Sequence, residues 1–334
     1  MASLENHIQV TMNELERNLS LFMLDDYIRE CEDAFDRKVT DIAGRVKADR
    51  RIRAIFISGP SASGKTTFNA KLRAALQNLD IQAVPISLDD YYLSHEFKTD
   101  EYGRHDYESM DTLDTALMTA QIGSLIAGET VRIPFFDFRT KSRLEERARE
   151  TRLTGDGVLL VEGLHGLSAD IAGVIPKDRW LGVFIMPYAT LNDDYRLLDS
   201  RDIRILRRIT RDALNRGADA LATIDYWPML DRAEESSFPD YLRNADVYVN
   251  SAMPYEFYCV APLAGDMIDR AMDDFHKGIT VDSRLTRHGG LAQPEASVAE
   301  AERLYRAVRV IPRIGTQMVP PGSLLNEFIH KDPH

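Results

Sequence analysis

With 334 residues, 44% of them apolar and 28% charged, the chain has the composition of a soluble globular protein able to bury one large core with extensions, or two domains. A formal charge of -12 and a pI near 5.2 argue against a nucleic-acid backbone as the main partner, since such binding needs a net basic face. Cys31 and Cys259 are the only cysteines and lie far apart in sequence, so neither a disulfide framework nor a cysteine metal site is suggested. No run reaches the length of a membrane span, and early Glu5, Glu14 and Glu16 do not suit a signal peptide, so the expectation is a cytoplasmic protein with no membrane contact.

Residues 1–50 read as a charged helical extension. Met12, Leu15, Leu19 and Phe22, then Phe35, Val39, Ile42 and Val46, recur at intervals of three and four, predicting two amphipathic helices that break near Asp25-Asp26. Their apolar stripes need cover, from the main domain or from a second subunit in a homo-oligomer.

Ala54-Ile55-Phe56-Ile57 then forms an apolar run of strand length, and Phe68, Leu72, Ala75, Leu76 and Leu79 repeat at helical spacing. Between them, Gly59-Pro60-Ser61-Ala62-Ser63-Gly64-Lys65-Thr66-Thr67 matches the phosphate-binding pattern G-x-x-x-x-G-K-[ST] in full. In that strand, loop and helix context, backbone N–H groups close around an anion at the positive end of a helix. A nucleoside triphosphate fits there, with Lys65 reaching its outer phosphates and the Thr66 hydroxyl ligating the accompanying magnesium.

A second strand, Ala83 to Leu88, ends in Asp89-Asp90-Tyr91-Tyr92. Ligands of open parallel sheets collect at carboxyl ends of strands, so both acids are candidates for metal binding or proton abstraction, the plain alternative being a cap or turn former. The polar, aromatic stretch to Asp111, with His95, Tyr102, Arg104, His105, Asp106, Tyr107 and Glu108, reads as a substrate-facing loop, and a helix with Leu113, Leu117 and Ala120 on one face follows. Residues 131–145 join an apolar run to Asp137, Arg139, Lys141 and Arg143, which fits a plain surface hairpin. Val158 to Val161 is a third strand running into Glu162, the pattern of an acid that orients magnesium. Leu181 to Met186 and Asp246 to Asn250 supply two more strands. Between them Arg204, Arg207, Arg208 and Arg211 fall on one helical face, either a solvated face paired with Asp199, Asp202 and Asp212 or a lid over the transferring phosphoryl group.

Alternating strands and helices predict a three-layer α/β fold with a mainly parallel sheet of about five strands. The expected organisation is a helical extension over 1–50, a nucleotide-binding domain over 51–262 with its lid at about 199–232, and a helical appendage over 263–334 that serves packing.

The order of Gly59 to Thr67, Ser87 to Tyr92, Ile133 to Phe138, Val161-Glu162-Gly163 and the Arg201 to Gly217 segment resembles the phosphoribulokinase/uridine kinase family of P-loop kinases. Within it the chain looks most like bacterial uridine kinase-like proteins, down to the closing Ser323 to Ile329, although it lacks the N-terminal TGS-type domain of larger relatives. The resemblance implies an ATP-dependent transfer of phosphate to a small-molecule hydroxyl, at the 5′-position of a nucleoside. It implies Asp89 as base, Thr66 and Glu162 at magnesium, Arg204 and Arg207 from the lid, and Tyr92, Tyr107, Glu108, Phe136, Asp137 and Lys141 around the acceptor. Pyrimidine nucleoside kinases hold the base with a tyrosine and a histidine where this chain has Phe136 and Lys141. That departure leaves room for another sugar-like or anionic acceptor, or for a nucleotide-binding regulator without transfer.

Overall fold

In the computed structural model the described residues are 7–20, 22–94, 97–137, 140 and 142–331. His95, Phe138, Arg139 and Lys141 lie outside them. Five strands, β1 (Ala54–Ser58), β2 (Ala83–Ser87), β3 (Val158–Glu162), β4 (Trp180–Met186) and β5 (Val247–Asn250), form one sheet in the order β5-β4-β1-β3-β2. Every pairing is parallel.

The middle strand shows why the architecture has three layers. Along β1, Ile55 and Ile57 enter one hydrophobic core and Ala54 and Phe56 the other, so the strand is apolar on both faces and needs helices on each. Pro85 is tolerated because β2 is the sheet edge, where a missing N–H costs no ladder bond on the open side.

The longer helices are α1 (Met12–Ser20), α2 (Leu24–Ala48), α3 (Lys65–Gln77), α4 (Thr115–Ile126), α5 (Ser200–Arg216), α6 (Ala220–Asn244), α7 (Glu256–His276) and α8 (Pro294–Val308). α2 packs its Phe35, Val39, Ile42 and Val46 stripe into the core that also holds α3, with Phe35 edge-on to Phe68 at 6.3 Å. Phe22 does not extend the Met12, Leu15 and Leu19 stripe of the first helix as its spacing predicted. It sits at φ 55 in the break between helices, 95% exposed. Ile8–Thr11 is a strand that periodicity did not predict, and it pairs in parallel with Ala189–Asn192.

The C-terminal elements share the same core as α2 and α3, through Ala301, Leu304, Val308, Leu324 and Phe328. α7 runs without interruption across residue 262, where the sequence suggested a domain edge. Among the described residues no helix is long and apolar enough to cross a membrane.

Candidate active site

Two glycines shape the phosphate loop. A Cβ at Gly59 would lie 2.0 Å from the Ile185 carbonyl oxygen, so only glycine lets the chain leave β1 that close to β4. Gly64 has φ +85, where a side chain would be strained and would also strike Leu324. α3 begins at the next residue, which directs its unpaired N–H groups into the loop.

The Lys65 ammonium donates to the carbonyl oxygens of Gly59 and Pro60 at 2.9 and 2.8 Å. Burial pushes its pKa down, while the charges of Glu162, Asp89 and Glu327 push it up. Ser63 Oγ is buried with no protein hydrogen-bond partner, and Ser63 lines the cavity, leaving the kind of donor that a phosphate oxygen satisfies.

Strand register brings the acids to the same level. Ile57 of β1 and Ser87 of β2 both stand opposite Glu162 of β3, and β2 runs into a 3₁₀ turn, Leu88–Tyr91, that carries Asp89 and Asp90. Lys65, Thr66, Asp89 and Glu162 consequently line one cavity of about 870 Å³. Asp90 does not line it and pairs with Arg149 at 3.4 Å. Glu162 accepts a hydrogen bond from Ser87 Oγ at 2.9 Å. Burial first, and then the charge of Asp89, push its carboxyl up to about 7 against the pull of Lys65. Among the described residues no three His, Cys, Asp or Glu side chains converge as a metal cage.

Beyond Asp89 the wall is aromatic and acidic. Tyr92 and Phe136 rings lie 5.4 Å apart, Phe97 and Tyr107 4.4 Å, and the Tyr92 hydroxyl donates to the Tyr107 carbonyl at 2.7 Å. Glu108 and Asp137 line the same wall. Burial raises the Glu108 pKa and Arg208 draws it back. His165 contacts the Tyr241 hydroxyl at 2.6 Å and the Glu108 carbonyl oxygen at 2.8 Å. Asp137 sits in a short hairpin, Phe136–Asp137 against Ser142–Arg143. From that hairpin Arg143 donates to the carbonyls of Tyr91 and Tyr92 at 2.9 and 3.0 Å, tying it to the Asp89 turn.

The arginine helix divides differently from the expectation. Arg204 and Arg207 do not line the cavity; they hold the phosphate loop from behind. Arg204 pairs with Glu234 and donates to the Ser61 carbonyl at 3.1 Å, and Arg207, fully buried, pairs with Glu256 at 2.6 Å and reaches the Ser251 carbonyl at 2.8 Å. The physical reason is that the two acids, from α6 and α7, enclose that side of α5 and neutralise charges that could not otherwise be buried. Arg208, Arg211 and Arg216 face the cavity instead. Asp212 gathers all three, at 3.2, 2.8 and 3.5 Å. Burial pushes its carboxyl up, but these guanidiniums outweigh that and hold it below the usual range. Arg208 also donates to Ser61 Oγ at 2.9 Å. The helix is neither a solvated face nor a detached flap, since Arg201 binds Glu300 of α8 at 2.9 Å and Asp202 binds Arg303.

The C-terminal elements contribute residues that sequence patterns missed. Glu327 lines the cavity and accepts from the Thr67 hydroxyl at 3.1 Å, while residues 279–285 form another stretch of its lining. The family-like closing stretch Ser323 to Ile329 marks the segment of Glu327 but not its role, and nothing local marks residues 279–285, because the partners of both are distant in sequence.

A phosphate loop at the head of an all-parallel sheet in this order, with strand-end acids and converging arginines, defines an α/β nucleotide-binding protein of the P-loop class. The model of the Phosphoribulokinase / Uridine kinase family matches residues 54–253, and the chain belongs to that family. It is 28% identical over 209 residues to a uridine kinase of Schizosaccharomyces pombe, covering 61% of this chain and 41% of that protein, so it spans about two fifths of that relative's length. It is 26% identical over 201 residues to a uridine kinase of Ureaplasma parvum serovar 3, covering 58% of this chain and 86% of that one. A solved structure described as a possible uridine kinase from Bacillus stearothermophilus aligns at 18% identity and a TM-score of 0.43, over 64% of this chain and 98% of the other.

Proposed function

We propose that the protein transfers the γ-phosphoryl group of ATP to a hydroxyl of a small neutral acceptor, the 5′-hydroxyl of a nucleoside. The observation that carries this reading is the convergence of Lys65, Asp89 and Glu162 in one cavity whose far wall is aromatic and acidic.

Lys65 and the loop N–H groups bind the β- and γ-phosphates, and Ser63 Oγ adds a donor. Arg208, Arg211 and Arg216 meet the charge that spreads over the transferring group, held ready by Asp212. Asp89 accepts the proton of the attacking hydroxyl. Glu108 and Asp137 accept hydrogen bonds from a sugar, and Tyr92, Tyr107 and Phe136 supply flat surface for a ring.

Magnesium suits these residues. Burial and the charge of Asp89 disfavour the ionised form of Glu162, a penalty that a divalent cation would relieve, and Thr66 stands in the first turn of the neighbouring helix. With no three-acid cage among the described residues, the ion would take Thr66 and Glu162 as its protein ligands and phosphate oxygens and water for the rest. The cation would neutralise phosphate charge during transfer.

Among the described residues the cavity lining carries nine carboxylates against five cations, and three of the nine, Asp89, Glu108 and Asp137, stand on the acceptor side. That balance favours an uncharged acceptor over an anionic one. The test is ATP turnover over a panel of nucleosides, sugars and sugar acids, with and without a magnesium chelator. Transfer to nucleosides that stops on chelation is the expected result; efficient transfer to an anionic acceptor alone, or ATP binding with no transfer, would overturn the proposal.

A further inference from the structure

The family segment ends at residue 253, yet the cavity does not. Ile279, Val281 and Leu285, from the connection between α7 and α8, line it together with the aromatic wall. This connection is not a loose tail. The His105 N–H donates to the Leu285 carbonyl at 2.8 Å and the Arg287 N–H to the Gly103 carbonyl at 2.8 Å, so it pairs antiparallel with the loop that carries Tyr107 and Glu108.

A buried polar node fixes that pairing. Arg104 is 1% exposed, and its guanidinium donates to Asp100 at 3.1 Å and Gln293 at 2.8 Å, with Asp225 of α6 at 3.5 Å. Asp225 in turn accepts from the N–H groups of Ala292 and Gln293 at 2.9 and 2.8 Å. A buried charge with this many partners fixes one arrangement, because losing any partner leaves charge uncompensated in a low dielectric. The acceptor loop and the 279–285 connection are therefore one wall.

Ile279 stands out on it, being 53% exposed although large and apolar. Its solvent-facing side chain borders a cavity already lined by aromatic rings, and apolar surface there gains free energy when a flat ring covers it.

We infer that Ile279, Val281 and Leu285 form a specificity-determining wall for the nucleobase of the acceptor, so that acceptor choice is encoded partly outside the family segment. This rests on the kinase reading above. The base lies against the apolar connection, and the sugar lies toward Glu108 and Asp89.

The experiment is steady-state kinetics of the full chain and of an Ile279→Ala/Val281→Ala double variant with the four ribonucleosides and ATP. Melting temperature serves as the fold control, which the exposure of Ile279 and half-burial of Val281 make informative. Removing the methyl groups of both side chains should raise KM for the preferred nucleoside about tenfold, with KM for ATP changed less than about twofold. Ile279→Asp should exceed that loss. An active wild type whose variants keep the nucleoside KM, or raise KM for ATP instead, overturns this inference alone, the latter result assigning the wall to the donor's base. A wild type that transfers phosphate to no hydroxyl refutes the kinase reading, and this inference falls with it.

Discussion

Replacing Arg207 and Arg211, four residues apart on α5, should separate a loop-supporting role from a phosphate-facing one. Arg207 is fully buried, and Arg207→Met leaves Glu256 with only the Met253 N–H at 2.9 Å to compensate a charge that is 3% exposed. Breaking such a buried pair costs about 3–5 kcal/mol. For 334 residues an unfolding entropy of about 0.7 kcal/mol/K converts that into a fall in Tm of about 4–7 °C. Arg211→Ala should leave Tm nearly unchanged, because Asp212 keeps Arg208 and Arg216. It should instead lower kcat by about 10³-fold or more, as removal of a charge-stabilising arginine does in phosphoryl transfer. Calorimetry gives the first quantity and initial rates the second. An Arg207→Met protein that melts like wild type but loses kcat as Arg211→Ala does would refute the division and return Arg207 to the reacting group.

Lys65→Ala should abolish transfer while the protein stays folded, since the ammonium only spans two loop carbonyls; normal turnover by a folded variant would remove the phosphate-loop reading. Asp89→Asn should lower kcat by about 10²-fold to 10⁴-fold with ATP affinity kept, whereas Asp90→Asn, which loses its pairing with Arg149, should cost far less. Equal losses at both, measured as kcat against ATP affinity, would place the base elsewhere. Glu327→Gln can still accept from Thr67 but removes a charge that acts on Lys65, so KM for ATP should shift several-fold with little change in Tm. An effect on Tm alone would make Glu327 a packing residue.

The central sheet was legible because its strands are short apolar runs bounded by turns, as strands buried on both faces must be. The phosphate loop was legible because its glycines, lysine and threonine stand in one contiguous stretch with the strand and helix beside it. The arginines were half legible. Helical spacing puts Arg204, Arg207, Arg208 and Arg211 on one broad face, but the acids that claim two of them, Glu234 and Glu256, arrive 30 and 49 residues later from other helices. Periodicity reads a face and not the partner that covers it. The same limit hid residues 279–285 and Glu327, whose contacts are made across the whole chain. Phe22 was misplaced because its left-handed backbone ends the helical register that had counted it inward. Lys141, on which the departure from the pyrimidine kinases turned, lies outside the described residues.

The turn at Leu324-Leu325 and the short helix Asn326–Ile329 that follows it bear on how the protein is made. Leu324 packs on Gly64, and Glu327 binds Thr67 across 260 residues of chain. A nascent chain that has not reached this turn already owns every strand of the sheet, yet its phosphate loop lacks both supports. At ribosomal speeds of about 5–20 residues per second, about 10–50 s pass between synthesis of the loop and synthesis of its support. During that interval a nucleotide would meet an incomplete cradle. Full support of the phosphate loop therefore comes only after every strand of the parallel sheet is available for its long-range pairings.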